Sequence, residues 1–203
     1  MNTVANAVLL ILLVMSSSSV AKQVLTDPEV VHPDQQAIIP NLEAITLRDS
    51  NSATAAVAIL LCSSNVKCDS GSEVEGALSG NAEGSLSMLA RKLDGTSCGV
   101  NGNTLRISAS FTPIGEIRAN DIVSSIMQKK PLLIRWKEVV YVVYGVVYDQ
   151  HLFNSGRQDN VIREFLLIDP RFSDSRRLVT FRRQKDDFGQ IEGIMSTSLR
   201  PTQ

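Results

Sequence analysis

The stretch Lys130-Pro-Leu-Leu-Ile-Arg-Trp136, followed by Val139-Val-Tyr-Val-Val-Tyr-Gly-Val-Val-Tyr-Asp149, decides the fold. Both runs are almost wholly apolar and rich in β-branched and aromatic residues, so they read as adjacent strands. Residues 139 to 147 are apolar on both faces, which predicts a central strand covered on each side. Phe165-Leu-Leu-Ile-Asp-Pro170 supplies a third strand and Leu178-Val-Thr-Phe-Arg182 a fourth. Lys137-Glu138 joins the first two but lacks the Asn-Gly chemistry of a tight hairpin. Gly145 inside the central run predicts a bulge or a close backbone approach. Trp136, the sole tryptophan, is expected in the core or in a cleft wall. Residues 149 to 160 are polar and read as a loop.

Upstream, a helix is expected near Asn120, with Ile122, Val123, Ile126 and Met127 inward. Lys129 and Lys130 suit its negative end, and Pro131 stops it. Thr104 to Phe111 alternates: Leu105, Ile107, Ala109 and Phe111 share one side of a half-buried strand. Before it, Leu86, Leu89, Ala90 and Leu93 share a helical face, with Asn81 as its cap and Gly95 past its end. A further helix carries Ala53, Ala56, Val57, Leu60 and Leu61 on one face, behind the cap cluster Asp49-Ser-Asn-Ser52. Helices first and strands afterwards predict an α+β fold, with N-terminal helices packed on a mostly antiparallel sheet.

The chain has 203 residues, of which 43% are hydrophobic and 20% charged, enough for one domain to bury its own core. The net charge is -1, which points away from nucleic acid as the partner. Residues 1 to 21 hold no charged side chain, and Val8 to Met15 is an unbroken apolar run followed by small residues. This predicts a signal peptide cleaved after Ala21, export to the periplasm or outside the cell, and no stable membrane anchor afterwards. Residues 22–44 then read as an extended arm, 45–190 as the folded domain and 191–203 as a polar tail. Cys62, Cys68 and Cys98 allow one disulfide by any of three pairings. No cofactor is expected. No metal site is expected either, because neither His32 nor His151 lies near these cysteines in sequence.

Four segments occur in a telling order: Ala53-Thr-Ala-Ala-Val-Ala58, Pro131-Leu-Leu-Ile-Arg-Trp136, Val140-Tyr-Val-Val-Tyr-Gly145 and Leu167-Ile-Asp-Pro170. Across roughly residues 45 to 183 this pattern resembles the papain-like cysteine peptidases, in particular the compact bacterial branch with the bacteriocin-processing peptidases. The resemblance implies a papain-like fold. It places the family thiol at Ala53, the imidazole at Val140 and the carboxylate at Asp169. No glutamine stands just before Ala53 to supply an oxyanion donor. A thiol needs the helix dipole and an imidazole to ionise and attack, and here both groups are hydrocarbon.

The resemblance therefore implies a pseudoenzyme binding a peptide or protein in the former cleft, around Ser52, Thr54, Trp136, Tyr141 and Asp169. Two alternatives stand beside it. One is an active hydrolase or transferase with a relocated site built from Cys62 or Ser52, His151 and Asp169. The other is an exported structural or inhibitor-like domain without enzymatic activity. Asp169 before Pro170 also reads as a turn former. Ser52 and Thr54 read equally as helix caps. Arg176-Arg177 and Arg182-Arg183 form a basic patch with interleaved acids, which reads as a solvated face or a site for an acidic partner.

Overall fold

The computed structural model describes residues 30–40, 42, 52, 56, 57, 59, 61, 84–100, 103–172 and 174–201. Eight described strands form one sheet: β1 (Val30–Ile38), β2 (Ser97–Val100), β3 (Asn103–Pro113), β4 (Leu132–Trp136), β5 (Val139–Leu152), β6 (Gln158–Ile168), β7 (Leu178–Arg182) and β8 (Ile191–Pro201). Their order is β2-β3-β8-β4-β5-β6-β7, with β1 on β5. Every described pair is antiparallel. The architecture is α+β, as the apolar runs predict.

β5 is central because both of its faces are apolar. Val140 and Val142 pack into one buried cluster, and Tyr141, Val143 and Val146 into another. This is the two-residue period of a strand at work. The first face holds the helical residues Ala56, Val57, Ile59 and Leu61 together with the Leu86–Leu93 helix. The second holds the Ala119–Met127 helix and the rings of Trp136, Phe165 and Phe181. β5 borders β4 at Val139 to Val143 and β1 at Gly145 to Leu152. β1 and β4 thus continue one lane of the sheet.

Gly145 stands where that lane passes from β4 to β1. The register of β5 against β6 shifts there, and a Cβ would lie 3.1 Å from the Ala37 carbonyl and 3.0 Å from Leu166. Both the bulge and the close approach expected of this glycine are present. The Leu86–Leu93 helix buries Leu86, Leu89, Ala90 and Leu93 as predicted, and Gly95 follows it at φ +83°. Its cap is Ser85 rather than Asn81. Glu192 of β8 accepts the Leu86 and Ser87 N–H groups at 2.8 and 3.3 Å, a carboxylate placed at the positive helix end.

Several expectations are corrected. Within the polar tail expected at 191–203, Ile191–Pro201 form β8, inserted between β3 and β4. The extended arm pairs with β5 over Val30–Ile38. Strands β1, β2 and β3 are interspersed with the helices, so the order is not helices first. The loop expected over 149–160 shrinks, because β5 runs to Leu152 and β6 starts at Gln158. Those polar residues are strand because their backbones pair with β1 and β6, while their side chains are only half-buried or exposed. Met127, expected inward, is 68% exposed at the end of its helix. Ala53, Thr54 and the two cysteines Cys62 and Cys68 lie outside the described residues. Cys98 is buried and disulfide-bonded.

Candidate functional site

The site is built where β6 ends. Val142 is opposite Ile168 in the ladder, so Asp169 falls level with Tyr141 and the chain then turns away at Pro170. Past that point the edge of β5 has lost its strand partner. The Val140 N–H donates instead to Ser52 Oγ at 3.2 Å, across 88 residues of sequence. A helical serine thus takes the place that a continued strand would have filled. Val140 itself is 3% exposed and packs in the same cluster as Ala56 and Val57.

Asp169 is 2% exposed, and its carboxylate is fully engaged. Oδ1 accepts the Arg171 backbone N–H at 3.1 Å, an Asx turn across Pro170, and Arg171 Nε at 2.9 Å. Oδ2 accepts Arg171 Nη2 at 2.7 Å. This forked pair neutralises a charge that burial would otherwise disfavour, and the bond to Asp169 makes the Arg171 guanidinium more basic than usual. The turn-forming role expected of Asp169 is therefore realised. The Asp169 N–H donates to the Arg177 carbonyl at 2.6 Å, which ties the turn to the entry of β7.

Tyr141 leaves β5 on the face opposite Val140 and is 7% exposed. Burial holds its phenol above the ordinary 10.0, the Asp169 carboxylate adds to this, and the Arg171 charge opposes it. Trp136 is core, with its ring T-shaped to Phe181 at 5.0 Å and 5.8 Å from Tyr141. Its buried Nε1–H has no hydrogen-bond acceptor among the described residues. Lys137 Nζ covers the ring at 4.6 Å from its centroid.

The relocated site is not assembled. His151 lies eleven residues beyond Val140 on β5, opposite Val31 and Asp159. At about 3.3 Å per residue that is roughly 30 Å or more along the strand from the Ser52 hydroxyl. His32 pairs with Gln150 on exposed β1, equally distant in the ladder. Cys62, the other proposed nucleophile, lies outside the described residues. Among the described residues no three His, Cys, Asp or Glu side chains converge to hold a metal. No described helix is long and apolar enough to cross a membrane.

A pocket of about 110 Å³ lies elsewhere, at the start of β4, lined by Thr112, Glu116, Arg118, Asp121 and Leu132 among others. Two of the four arginines of the basic patch are paired with carboxylates: Asp174 holds Arg176 at 2.9 Å and Glu164 holds Arg182 at 3.2 Å. Sequence reading missed Arg171 as the partner of Asp169. A basic residue directly after Asp-Pro, two places on from the Asp, is the signal that could have found it.

No family model matches the chain, and no curated protein matches it. It is similar to the crystal structure of UfSP from C. elegans at 14% identity and a TM-score of 0.45. That alignment covers 84% of this chain and 35% of the other, so this chain spans little more than a third of that protein's length. The likeness is too distant to give any residue a role.

Proposed function

We propose that the chain is an exported, non-catalytic relative of the papain-like cysteine peptidases that holds a peptide or protein segment at the former active site. The observation that carries this reading is the hydrogen bond from the Val140 N–H to Ser52 Oγ. It sets the residue before Ala53 against the strand position where the resemblance expects an imidazole. That position is a buried valine. An alanine cannot attack a carbonyl and a valine cannot carry a proton. Asp169, the third family position, spends its carboxylate on Arg171 and on its own turn.

The experiment is incubation of the mature protein with a mixed fluorogenic peptide library, alongside binding of the same peptides by fluorescence anisotropy. The reading predicts binding without turnover. Hydrolysis that disappears in Cys62→Ala or His151→Ala would overturn it. N-terminal sequencing of the exported protein should begin at Lys22; an uncleaved terminus contradicts the export component.

A further inference from the structure

We infer that the pocket between the Ala119–Met127 helix and β8 binds a free α-amino acid with an aliphatic side chain, as its zwitterion. This goes beyond the peptide-binding reading, because the pocket is on the other face of the sheet. Its apolar residues Ile122, Leu132 and Ile194 belong to one buried cluster and Val140 to the opposite one. β8 makes its last pair with β4 at Met195 and Leu133, but stays paired with β3 as far as Pro201. The pocket opens where β8 leaves β4, walled by the helix and by the short turn Ile114–Glu116.

Part of the lining is hydrocarbon: Ile122, Leu132 and Ile194 are 4%, 3% and 6% exposed. Thr112 is paired with Ile194, and Ser196 lies two residues further along β8. Strand alternation therefore turns both hydroxyl side chains to the face that Ile194 occupies. Arg118, Asp121, Ile122 and Ser125 follow at helical spacings of three and four, so they share one stripe. That stripe brings a cation, a carboxylate and a hydroxyl into the lining beside the isoleucine. Glu116 adds a second carboxylate from the turn.

Both signs of charge thus line one small pocket without pairing. Among the described residues, no ion pair or hydrogen bond engages the side chains of Glu116, Arg118, Asp121, Thr112 or Ser125. Elsewhere Arg157, Arg163, Arg171, Arg176 and Arg182 each hold a carboxylate. A free amino acid carries an ammonium, a carboxylate and a side chain on a single carbon. Its carboxylate matches Arg118 and the hydroxyls, its ammonium matches Glu116 and Asp121, and an aliphatic side chain matches the hydrocarbon. The pocket encloses about 110 Å³, well below the roughly 300–1,000 Å³ of sites for drug-sized ligands, which selects a small molecule. The end of a peptide brings one charged terminus and leaves one sign of charge in the lining unmatched.

The probe is L-leucine, titrated into the mature protein by calorimetry, with the Ser125 and Ser196 backbone amides followed by NMR. It should bind with a dissociation constant of about 1 mM or tighter, and shift both amides. Isocaproate, which lacks the ammonium, and isoamylamine, which lacks the carboxylate, should each bind about tenfold more weakly. The tripeptide Leu-Gly-Gly should bind no better than isoamylamine. Arg118→Gln should abolish the preference for leucine over isoamylamine. Glu116→Gln with Asp121→Asn should abolish the preference over isocaproate. Arg200→Gln, on β8 outside the pocket lining, should change neither. Absence of leucine binding, equal affinity for leucine and the two analogues, or preferences untouched by the pocket substitutions overturns the inference and leaves the peptide-binding reading standing. The wild-type spectra avoid any folding defect in a variant: leucine-induced shifts confined to residues outside the pocket overturn the inference as well.

Discussion

Replacing Ser52 with alanine removes the side-chain acceptor of the Val140 N–H. Val140 is 3% exposed, so water is poorly placed to substitute. Leaving a buried donor unsatisfied costs about 1–3 kcal/mol. Ser52 is helical, and alanine's better helix propensity returns about 0.5 kcal/mol. The net loss is about 0.5–2.5 kcal/mol, equivalent to roughly 1–10 °C in Tm for a domain of this size. The assay is urea unfolding followed by Trp136 fluorescence, with an unchanged slope and a lower midpoint expected. Ser52→Thr keeps the hydroxyl and should recover most of the loss. A Ser52→Ala protein as stable as wild type would refute the docking of this helical residue on β5, and with it the geometry behind the proposed function.

Three further outcomes follow from the fold. Gly145→Ala should destabilise by about 1–3 kcal/mol in urea titration, because the new methyl meets the Ala37 carbonyl and Leu166 at 3.1 and 3.0 Å. The Tyr141 phenol titrates above its unfolded value of 10.0 in the folded protein. Its contribution is therefore complete below pH 10 and lost as pH rises through the folded pKa. Thermal melts between pH 8 and 11 should fall more steeply for wild type than for Tyr141→Phe. Lys137 and Glu138 both adopt positive φ, 49° and 64°, at the turn between β4 and β5. The double change Lys137→Asn with Glu138→Gly supplies residues suited to that type I′ geometry and should raise stability by about 1 kcal/mol in the same titration.

What the sequence made legible follows from how completely each segment is buried. β5 and β4 were readable because a strand covered on both faces must be apolar throughout. The Leu86–Leu93 helix was readable because one buried stripe leaves a clean 3.6-residue period. β8 escaped notice although it lies between β3 and β4. Gly193 and Glu192 interrupt its apolar start, and Ser196, Ser198 and Arg200 face outward. β1 was obscured by Pro33 and Asp34, where its register against β5 shifts. The turn role of Asp169 could be read from local chemistry, since an Asp before Pro has its partner two residues on. The Ser52–Val140 contact could not, because its partners are 88 residues apart and no local pattern encodes such a meeting.

The central claim is that residue 53 and residue 140 face each other across a disused catalytic site. The thiol pKa of an Ala53→Cys protein, measured from the pH dependence of iodoacetamide alkylation with and without Val140→His, tests this directly. Cys62 and Cys68 are followed separately by mass spectrometry. The account predicts a thiol below the usual value of about 8.5 in the single variant, and a further fall of about one unit or more when the imidazole is added. An ordinary thiol pKa that the histidine leaves unmoved would contradict it.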